Sequence, residues 1–380
     1  MKENTVPRKF LPTPRNSRLG SWPRRRFLQS TLAAAVGVSL TNCRQAITAP
    51  QGGSANDNTL HIYTWANYID DALAAEFTQR TGTRVVVDIF DSNEVMLTKL
   101  KAGGGGAYSL VYPSDYMVSE MIEAGLLTTL DHARLQGLDN LKTKWQNPPY
   151  DPDNAHSIPF NWGTTGLLFN QDVTPGTPTD WSFLWENKEA LARRITLLDD
   201  MRETLGVALK TLGFSYNTND PAQISAAYDK LRELQPYIAA FKTTGFENEI
   251  LAGDLAISMA YSSDAIALVK EDDRLQYIIP TSGTSLWTDT MAIPTTAPNV
   301  EAAYQWINFM LEPEVAKAAV ERLFFATANQ AAFDLLPAEI RNNAELYPPD
   351  SVLARSEGIQ SISTASNDLF DRYWTQITSA

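Results

Sequence analysis

Between residues 59 and 125 the chain alternates between short apolar runs and amphipathic stripes, and this alternation constrains the fold most. Thr59-Leu60-His61-Ile62-Tyr63-Thr64-Trp65 reads as a strand. Ile69, Leu73 and Phe77 then recur every four residues, a helical stripe that Gly82 ends. Residues 84–90 carry Val85, Val86, Val87 and Ile89, a nearly continuous apolar strand. Asp91-Ser92-Asn93-Glu94 opens the next helix as a capping box, with Asp91 as cap and Glu94 three residues later. Met96, Leu97 and Leu100 supply its buried stripe, and Gly103-Gly104-Gly105-Gly106 reads as a loop. A third strand spans 109–112, and Val118, Met121 and Ile122 mark a helix closed by Gly125. The alternation predicts an α/β layer with a largely parallel sheet, whose ligands bind beyond the carboxyl ends of the strands. Trp65-Ala66-Asn67-Tyr68 and Ser114-Asp115-Tyr116 fall at two such ends.

At 380 residues, two domains are expected. Residues 145–162 are rich in Pro, Asn and Asp, and the crossing into a second domain is placed near Gly163. Further strands are predicted over 166–170, 194–199 and 255–261. Helices are predicted from Asp180, over 200–203 onward, 221–235, 247–251, from Ser262, over 302–311 and over 314–323. The chain from about 334 reads as mostly helical. Domain 1 is thus expected to hold residues 59–163 and 288–333, and domain 2 residues 164–287 and 334–380.

The formal net charge of −13 conceals an asymmetry. Residues 1–43 hold eight Lys/Arg and one acid; the remainder holds 23 basic and 43 acidic residues. Such a body does not seek nucleic acid or anionic membrane surfaces, and it attracts cationic solutes. Pro23-Arg24-Arg25-Arg26-Phe27-Leu28-Gln29 precedes an apolar run at 32–40, a pattern that fits a twin-arginine export signal. The run is too short to be a permanent membrane span. Leu40-Thr41-Asn42-Cys43 resembles the box cleaved by lipoprotein signal peptidase, which leaves a lipidated cysteine, here Cys43. Asn42 departs from the small residue usual before that cysteine. Residues 44–58 read as a flexible tether.

The body lacks several chemistries. His61, His132 and His156 lie in unrelated contexts without metal-ligand spacing. There is no G-x-S-x-G elbow, no Walker loop and no cysteine beyond Cys43. Enzymes built on a nucleophile, a metal or a nucleotide are poorly supported, and no cofactor is expected. What remains is rings and carboxylates. Residues 285–294 read as a strand, which places Trp287 and Asp289 on one face. An indole beside a carboxylate suits an organic cation; the plainer reading is a core tryptophan beside a solvated aspartate. Asp200 and Glu203 share a helical face, where acids also serve to satisfy first-turn backbone donors.

Several words occur together and in order: Tyr63-Thr64-Trp65-Ala66-Asn67-Tyr68, Asp91-Ser92-Asn93-Glu94, Val111-Tyr112-Pro113-Ser114, Leu198-Asp199-Asp200-Met201-Arg202-Glu203, Trp287-Thr288-Asp289 with Ala292-Ile293-Pro294, and Trp306-Ile307-Asn308-Phe309-Met310-Leu311-Glu312-Pro313. With them, residues 59–380 resemble the periplasmic spermidine/putrescine-binding proteins of ABC transporters. The resemblance implies a two-domain α/β fold of the type II periplasmic-binding-protein kind, with a ligand cleft between domains that closes by a hinge. It implies a polyamine ligand, permease subunits as partners, a periplasmic location and no catalysis. Trp65 and Tyr68 match one cleft wall, with Ser114 and Tyr116 beside them. Asp200 and Glu203 match acids that take ligand nitrogens, and Trp287 and Asp289 match an aromatic–acid pair. Tyr261 stands where the family has a tryptophan, and Gln360 falls at a ligand-contacting glutamine, one extra residue near Pro348-Pro349 aside. Three positions depart from the pattern. Asn67 replaces a carboxylate, and Phe325 replaces a tyrosine of spermidine-preferring members. Asp264 matches an aspartate of putrescine-preferring members, whereas Asp200 is of the spermidine type. A sugar-binding protein, or a glycosidase using one carboxylate pair, are the alternative readings.

Overall fold

A computed structural model describes residues 58–379. The expected export signal, Cys43 and nearly all of the tether lie outside the described residues. Within them the strands are β1 Thr59–Thr64, β2 Arg84–Ile89, β3 Leu110–Val111, β4 Ser157–Asn170, β5 Ile195–Leu197, β6 Ile238–Phe241, β7 Ile257–Tyr261, β8 Leu275–Ile278, β9 Ser285–Ala292, β10 Ala326–Thr327 and β11 Glu357–Gly358. The helices that matter below are α1 Asp71–Thr81, α2 Asn93–Lys101, α3 Asp115–Glu123, α4 Met201–Thr211, α5 Pro221–Leu234, α6 Ser262–Glu271, α7 Val300–Leu311, α8 Pro313–Leu323 and α9 Thr364–Thr378. Among the described residues no helix is long and apolar enough to cross a membrane.

The strand order is β2-β1-β3-β9-β4-β7-β5-β6, with β8 and β10 also paired to β4, and β11 to β9. The strands nearest each end of this order pair in parallel: β1 with β2 and β3, and β5 with β6 and β7. Between them β9 and β4 run antiparallel to their neighbours in this order, and only the short β11 joins β9 in parallel. The alternation over 59–125 gives the parallel set β2-β1-β3 that it suggested, but the sheet as a whole is mixed. The reason is the late return of β9, which follows β8 through a helix-free loop at 279–284 and lies antiparallel to both β3 and β4. The fourteen residues of β4 divide their pairing. Residues 157–164 pair with β9, and residues 165–170 pair with β7 and β8. The change falls beside Gly163, where the crossing was expected.

Apolar side chains gather accordingly. One core is built on β1, β3, α1, α3 and α7, with Leu60, Ile62, Phe77, Met121 and Trp306 fully buried. A second joins β5, α4 and α5, with Leu197, Leu205, Ile224 and Leu231. A smaller third cluster holds Leu168, Ala265 and Leu268. The last fifty residues do not join the second core as a block. Leu336, Leu346 and Ile359 pack in the first, whereas Leu369, Phe370 and Ile377, with the half-buried Ile362, Tyr373 and Trp374, pack in the second.

Local readings were mostly met, with instructive exceptions. Gly82 ends α1 in the left-handed region at φ 75°, as a C-terminal glycine should. The cap of α2 is Ser92 and not Asp91: the Ser92 side chain accepts from the Val95 N–H. Glu94 does not close a capping box, because its carboxylate takes the Tyr116 hydroxyl. β2 is an edge strand, with Val87 39% and Ile89 62% exposed. A run of β-branched residues signals a strand but not how many neighbours it has. The glycine loop tightens into one 3-10 turn at Gly104–Ala107. From Asp180 only a single helical turn forms, at Phe183–Glu186.

Candidate functional site

β1 delivers its last residues to a cleft of about 790 Å3. Trp65 lies against Phe90, ring centroids 4.6 Å apart, and its indole N–H donates to the Tyr112 carbonyl at 3.0 Å. The next turn passes through Asn67 in the left-handed region, φ 62°, which asparagine tolerates better than most residues. That turn points Tyr68 inward, and its hydroxyl donates to Asp289 Oδ2. At the end of β3, Ser114 Oγ donates to Asp289 Oδ1 at 2.6 Å. Asn93 orients that serine, accepting from its backbone N–H at 3.1 Å and donating to its hydroxyl at 3.0 Å. Tyr116 follows in the first turn of α3, its hydroxyl on Glu94 Oε1 at 2.9 Å.

β9 carries Trp287 and Asp289, and the two-residue strand period puts both side chains in the cleft wall. Trp287 stands edge-on to Tyr261, centroids 5.7 Å apart. It is directly opposite Gly163 of β4. A Cβ at residue 163 would sit 2.3 Å from the indole, so only glycine lets the ring lie across that strand. Trp287 is nearly buried and also lines the cleft, but its neighbour Asp289 is not the solvated aspartate of the plainer reading, since it too is buried in the wall.

The opposite wall comes from the starts of α4 and α6. Asp200 caps α4, accepting from the Glu203 N–H at 3.0 Å, and it also lines the cleft. Glu203 accepts from the hydroxyls of Thr165 at 3.0 Å and Ser285 at 2.7 Å. Asp264, in the first turn of α6, has Asn67 Nδ2 at 3.5 Å from its Oδ1. Phe325 closes the floor between Tyr68 and Phe160, with centroids at 5.9 and 4.9 Å.

Twelve of the thirteen residues expected at a ligand site thus line one cleft. Gln360 is the exception. Its side chain is exposed, and only its backbone is engaged, the N–H to Asn217 Oδ1 at 2.8 Å and the carbonyl from Arg202 at 3.1 Å. Ile359, one residue earlier, supplies the wall instead. Sequence reasoning missed Asp91, Asn93, Asp115 and Thr243, all in the lining. Asp115 had a usable signal, an acid beside Ser114 at a strand end. Asn93 and Thr243 had none, because small polar residues are common in helix starts and loops alike.

The cleft is strongly anionic. Asp91, Asp115, Asp200, Glu203, Asp264 and Asp289 line it, and among the described residues no Lys, Arg or His does. Burial pushes the carboxyls of Asp264 and Asp289 up to about 6, against hydrogen bonds from Asn67, and from Ser114 and Tyr68, that favour the ionised form. Burial also raises Asp200, with the Glu94 charge adding to it, and Glu203, with the Asp200 charge adding. Asp115 is raised well above its ordinary value by burial. These are carboxylates short of positive partners. Among the described residues no group of three or more His, Cys, Asp or Glu is arranged to hold a metal ion.

The model of the family described as bacterial extracellular solute-binding protein matches residues 72–348. The chain belongs to this family. Among its relatives, the spermidine/putrescine-binding periplasmic protein of Salmonella typhimurium is 37% identical over 325 residues, 85% of this solute-binding protein and 92% of the relative. Solved structures agree. A Listeria monocytogenes chain described as a spermidine/putrescine ABC transporter superposes with a TM-score of 0.79 at 36% identity, covering 84% of this chain and 98% of that one. The spermidine/putrescine ABC transporter substrate-binding protein PotD of Streptococcus pneumoniae gives 0.71 at 35% identity, over 84% and 98%. The two-domain α/β fold expected of a periplasmic binding protein is the fold of these neighbours.

Proposed function

We propose that this solute-binding protein captures polyamines, spermidine or putrescine, in its acidic cleft and presents them to the permease subunits of an ABC importer. The observation that carries the reading is six carboxylates and no basic side chain among the described residues of an aromatic-walled cleft. The names of the relatives, a binding protein and an ABC transporter substrate-binding protein, support the same class. A polyamine is a flexible chain with ammonium groups at set intervals. Each ammonium–carboxylate hydrogen bond contributes roughly 1.5–3 kcal/mol, and the methylene segments between them suit flat aromatic faces. Unpaired buried acids are costly, so without a ligand open and closed forms exchange with the wet, open one favoured, and a cation shifts the balance to the closed form.

Two lobes do the closing in this proposal. One holds residues 59–163 and 288 to about 359, the other residues 164–287 and the remaining C-terminal chain, a division that follows the two main cores. β4 and β9 cross between them, which puts Trp287 and Asp289 on the moving connection. Trp65, Asn67, Tyr68, Ser114, Tyr116, Phe325 and Asp289 serve as one jaw, and Asp200, Glu203, Tyr261 and Asp264 as the other. The export signal and Cys43 make the periplasm the place of action, with a lipid anchor at that cysteine.

Calorimetric titration of the exported protein with putrescine, spermidine, spermine and a neutral sugar tests the reading. The amines are expected to bind, and a double Trp287→Ala/Asp289→Ala variant to fold but not bind. Binding of the sugar without the amines would overturn it.

A further inference from the structure

Helix α6 meets both main bodies of the protein. Ala265 and Leu268 are buried in the third apolar cluster, whereas Ile266, 3% exposed, packs into the first core. Two other residues of the same helix reach the same side. Asp264 has Asn67 at 3.5 Å, and Lys270 Nζ lies 4.4 Å from the centre of the Phe324 ring. Ile266 and Lys270 are four apart and so share a helical face. Among the described residues Lys270 has no carboxylate within ion-pair distance, and the Phe324 ring is the partner it has.

Phe324 is unusual in its own right. It ends α8 in the left-handed region, φ 57°, with its N–H on the Val320 carbonyl. Bulky side chains rarely adopt that backbone. Here it separates two neighbouring rings. Phe325 is buried and lines the cleft, while Phe324 is half-buried and meets Lys270 outside it. Strain of this kind persists where surrounding structure fixes it, and it gathers at functional sites.

We propose that Lys270 and Phe324 form a closing clasp, a contact between the two lobes that is made only when the cleft shuts and that touches no ligand. This rests on the polyamine reading for its ligands but not for its geometry. A contact present only in the closed form raises the closed population, and therefore the apparent affinity, by the same factor for every ligand that closes the cleft. Lys270 and Phe324 are thus positioning residues. They set how tightly the protein holds any polyamine, and the cleft acids set which one it holds.

The test is a comparison of variants of the exported protein with putrescine, spermidine and spermine, by calorimetry and stopped-flow dissociation. Lys270 is exposed, so Lys270→Ala leaves the fold intact. It is expected to weaken every amine that binds by one common factor of about two- to fivefold, carried by faster dissociation. Lys270→Arg keeps a cation over the ring and should retain wild-type affinity. Phe324→Asn, whose backbone tolerates the left-handed region, should reproduce the Lys270→Ala loss, and the double variant should lose no more than either single one. Unchanged dissociation in Lys270→Ala, or a loss confined to one amine, would overturn the clasp. If the wild-type protein binds no amine, the polyamine reading falls alone. The clasp is then read in the ligand-free protein by spin labels at Asp229→Cys and Glu314→Cys in a Cys43→Ser background. Lys270→Ala should shrink the short-distance population, and an unchanged distribution would overturn the clasp.

Discussion

Ser114 and Asp289 are joined twice: an antiparallel bridge links their backbones, and the serine hydroxyl donates to Asp289 Oδ1 at 2.6 Å. The residue that carries the central carboxylate is thereby tied to the end of β3. Tyr68 holds the other oxygen. A carboxylate oxygen has lone pairs to spare after one hydrogen bond, so a ligand ammonium can still be accepted at either. The two donors hold the acid in place before the ligand arrives, which lowers the ordering cost of binding.

Asp289→Asn tests the charge at that position. The shape is retained, but the ammonium loses its counter-charge and the new amide N–H2 faces a hydroxyl donor. Affinity for spermidine should fall on the order of 10- to 100-fold, the equivalent of about 1.5–3 kcal/mol. Calorimetry beside a melting curve decides the point. Full affinity in the variant would remove Asp289 from the site.

Gly163→Ala tests the wall behind Trp287. The added methyl would stand 2.3 Å from the indole and 2.6 Å from Ser262 Oγ, too close for either to stay. The expected cost is about 1–3 kcal/mol of stability, with weaker amine binding as the ring is displaced. Quenching of tryptophan fluorescence by the bound amine should change with it. A variant with the melting temperature and affinity of the wild type would show that the ring has room the structure does not give it.

Acidity should move binding and stability in opposite directions. Asp264 and Asp289 stand at about 6 without ligand, above the ordinary 3.8. An ammonium favours their ionised forms, so protons compete with it below pH 6. Asp200 and Glu203, raised to about 7 and about 8, extend the competition upward, so affinity should level off only above about pH 8 and fall as pH drops through 6, by up to roughly tenfold per pH unit for each acid. For the ligand-free fold, a carboxyl raised above its unfolded value stabilises most below pH 3.8, and that stability is lost as pH rises through 6. From pH 5 to 7 the ligand-free melting temperature should therefore drop, while the rise produced by spermidine grows. A spermidine-induced rise that is the same at both values would contradict the assignment.

Gln360→Ala should leave amine affinity within about twofold of wild type, since an exposed side chain with no ligand contact contributes little. The backbone of that residue is what the protein uses, held by Asn217 and Arg202. A loss of tenfold or more by calorimetry would mean that the side chain reaches the ligand after all.

Much of this was legible in the chain itself. The stripe of Leu73 and Phe77 and the stop at Gly82 gave α1, while Ile69 falls just before the Asp70 cap and outside the helix. The period-two spacing of Trp287 and Asp289 put both in one wall before any fold was in hand. Asp200 showed why two readings need not compete: the same carboxylate caps α4 and faces the cleft. Where reading failed, the missing information was non-local. Val87 and Ile89 look like buried strand residues, but exposure depends on whether another strand lies beside them, and β2 has none on its outer side. Glu94 looks like a capping residue until Tyr116, twenty-two positions away, takes its carboxylate.

The sequence by itself determined the elements, the excess of acid and the kinds of side chain available for a cation, because helix stripes, caps and strand alternation depend on neighbours within a turn or two. Only the tertiary structure decided that β4 changes partners beside Gly163, that Trp287 fits there because glycine leaves space, that Ile359 and not Gln360 reaches the wall, and that α6 lays Lys270 over Phe324. Each of these depends on register between segments far apart in the chain. Register is set by how whole faces bury against one another, and a shift of one residue sends a different side chain into the cleft.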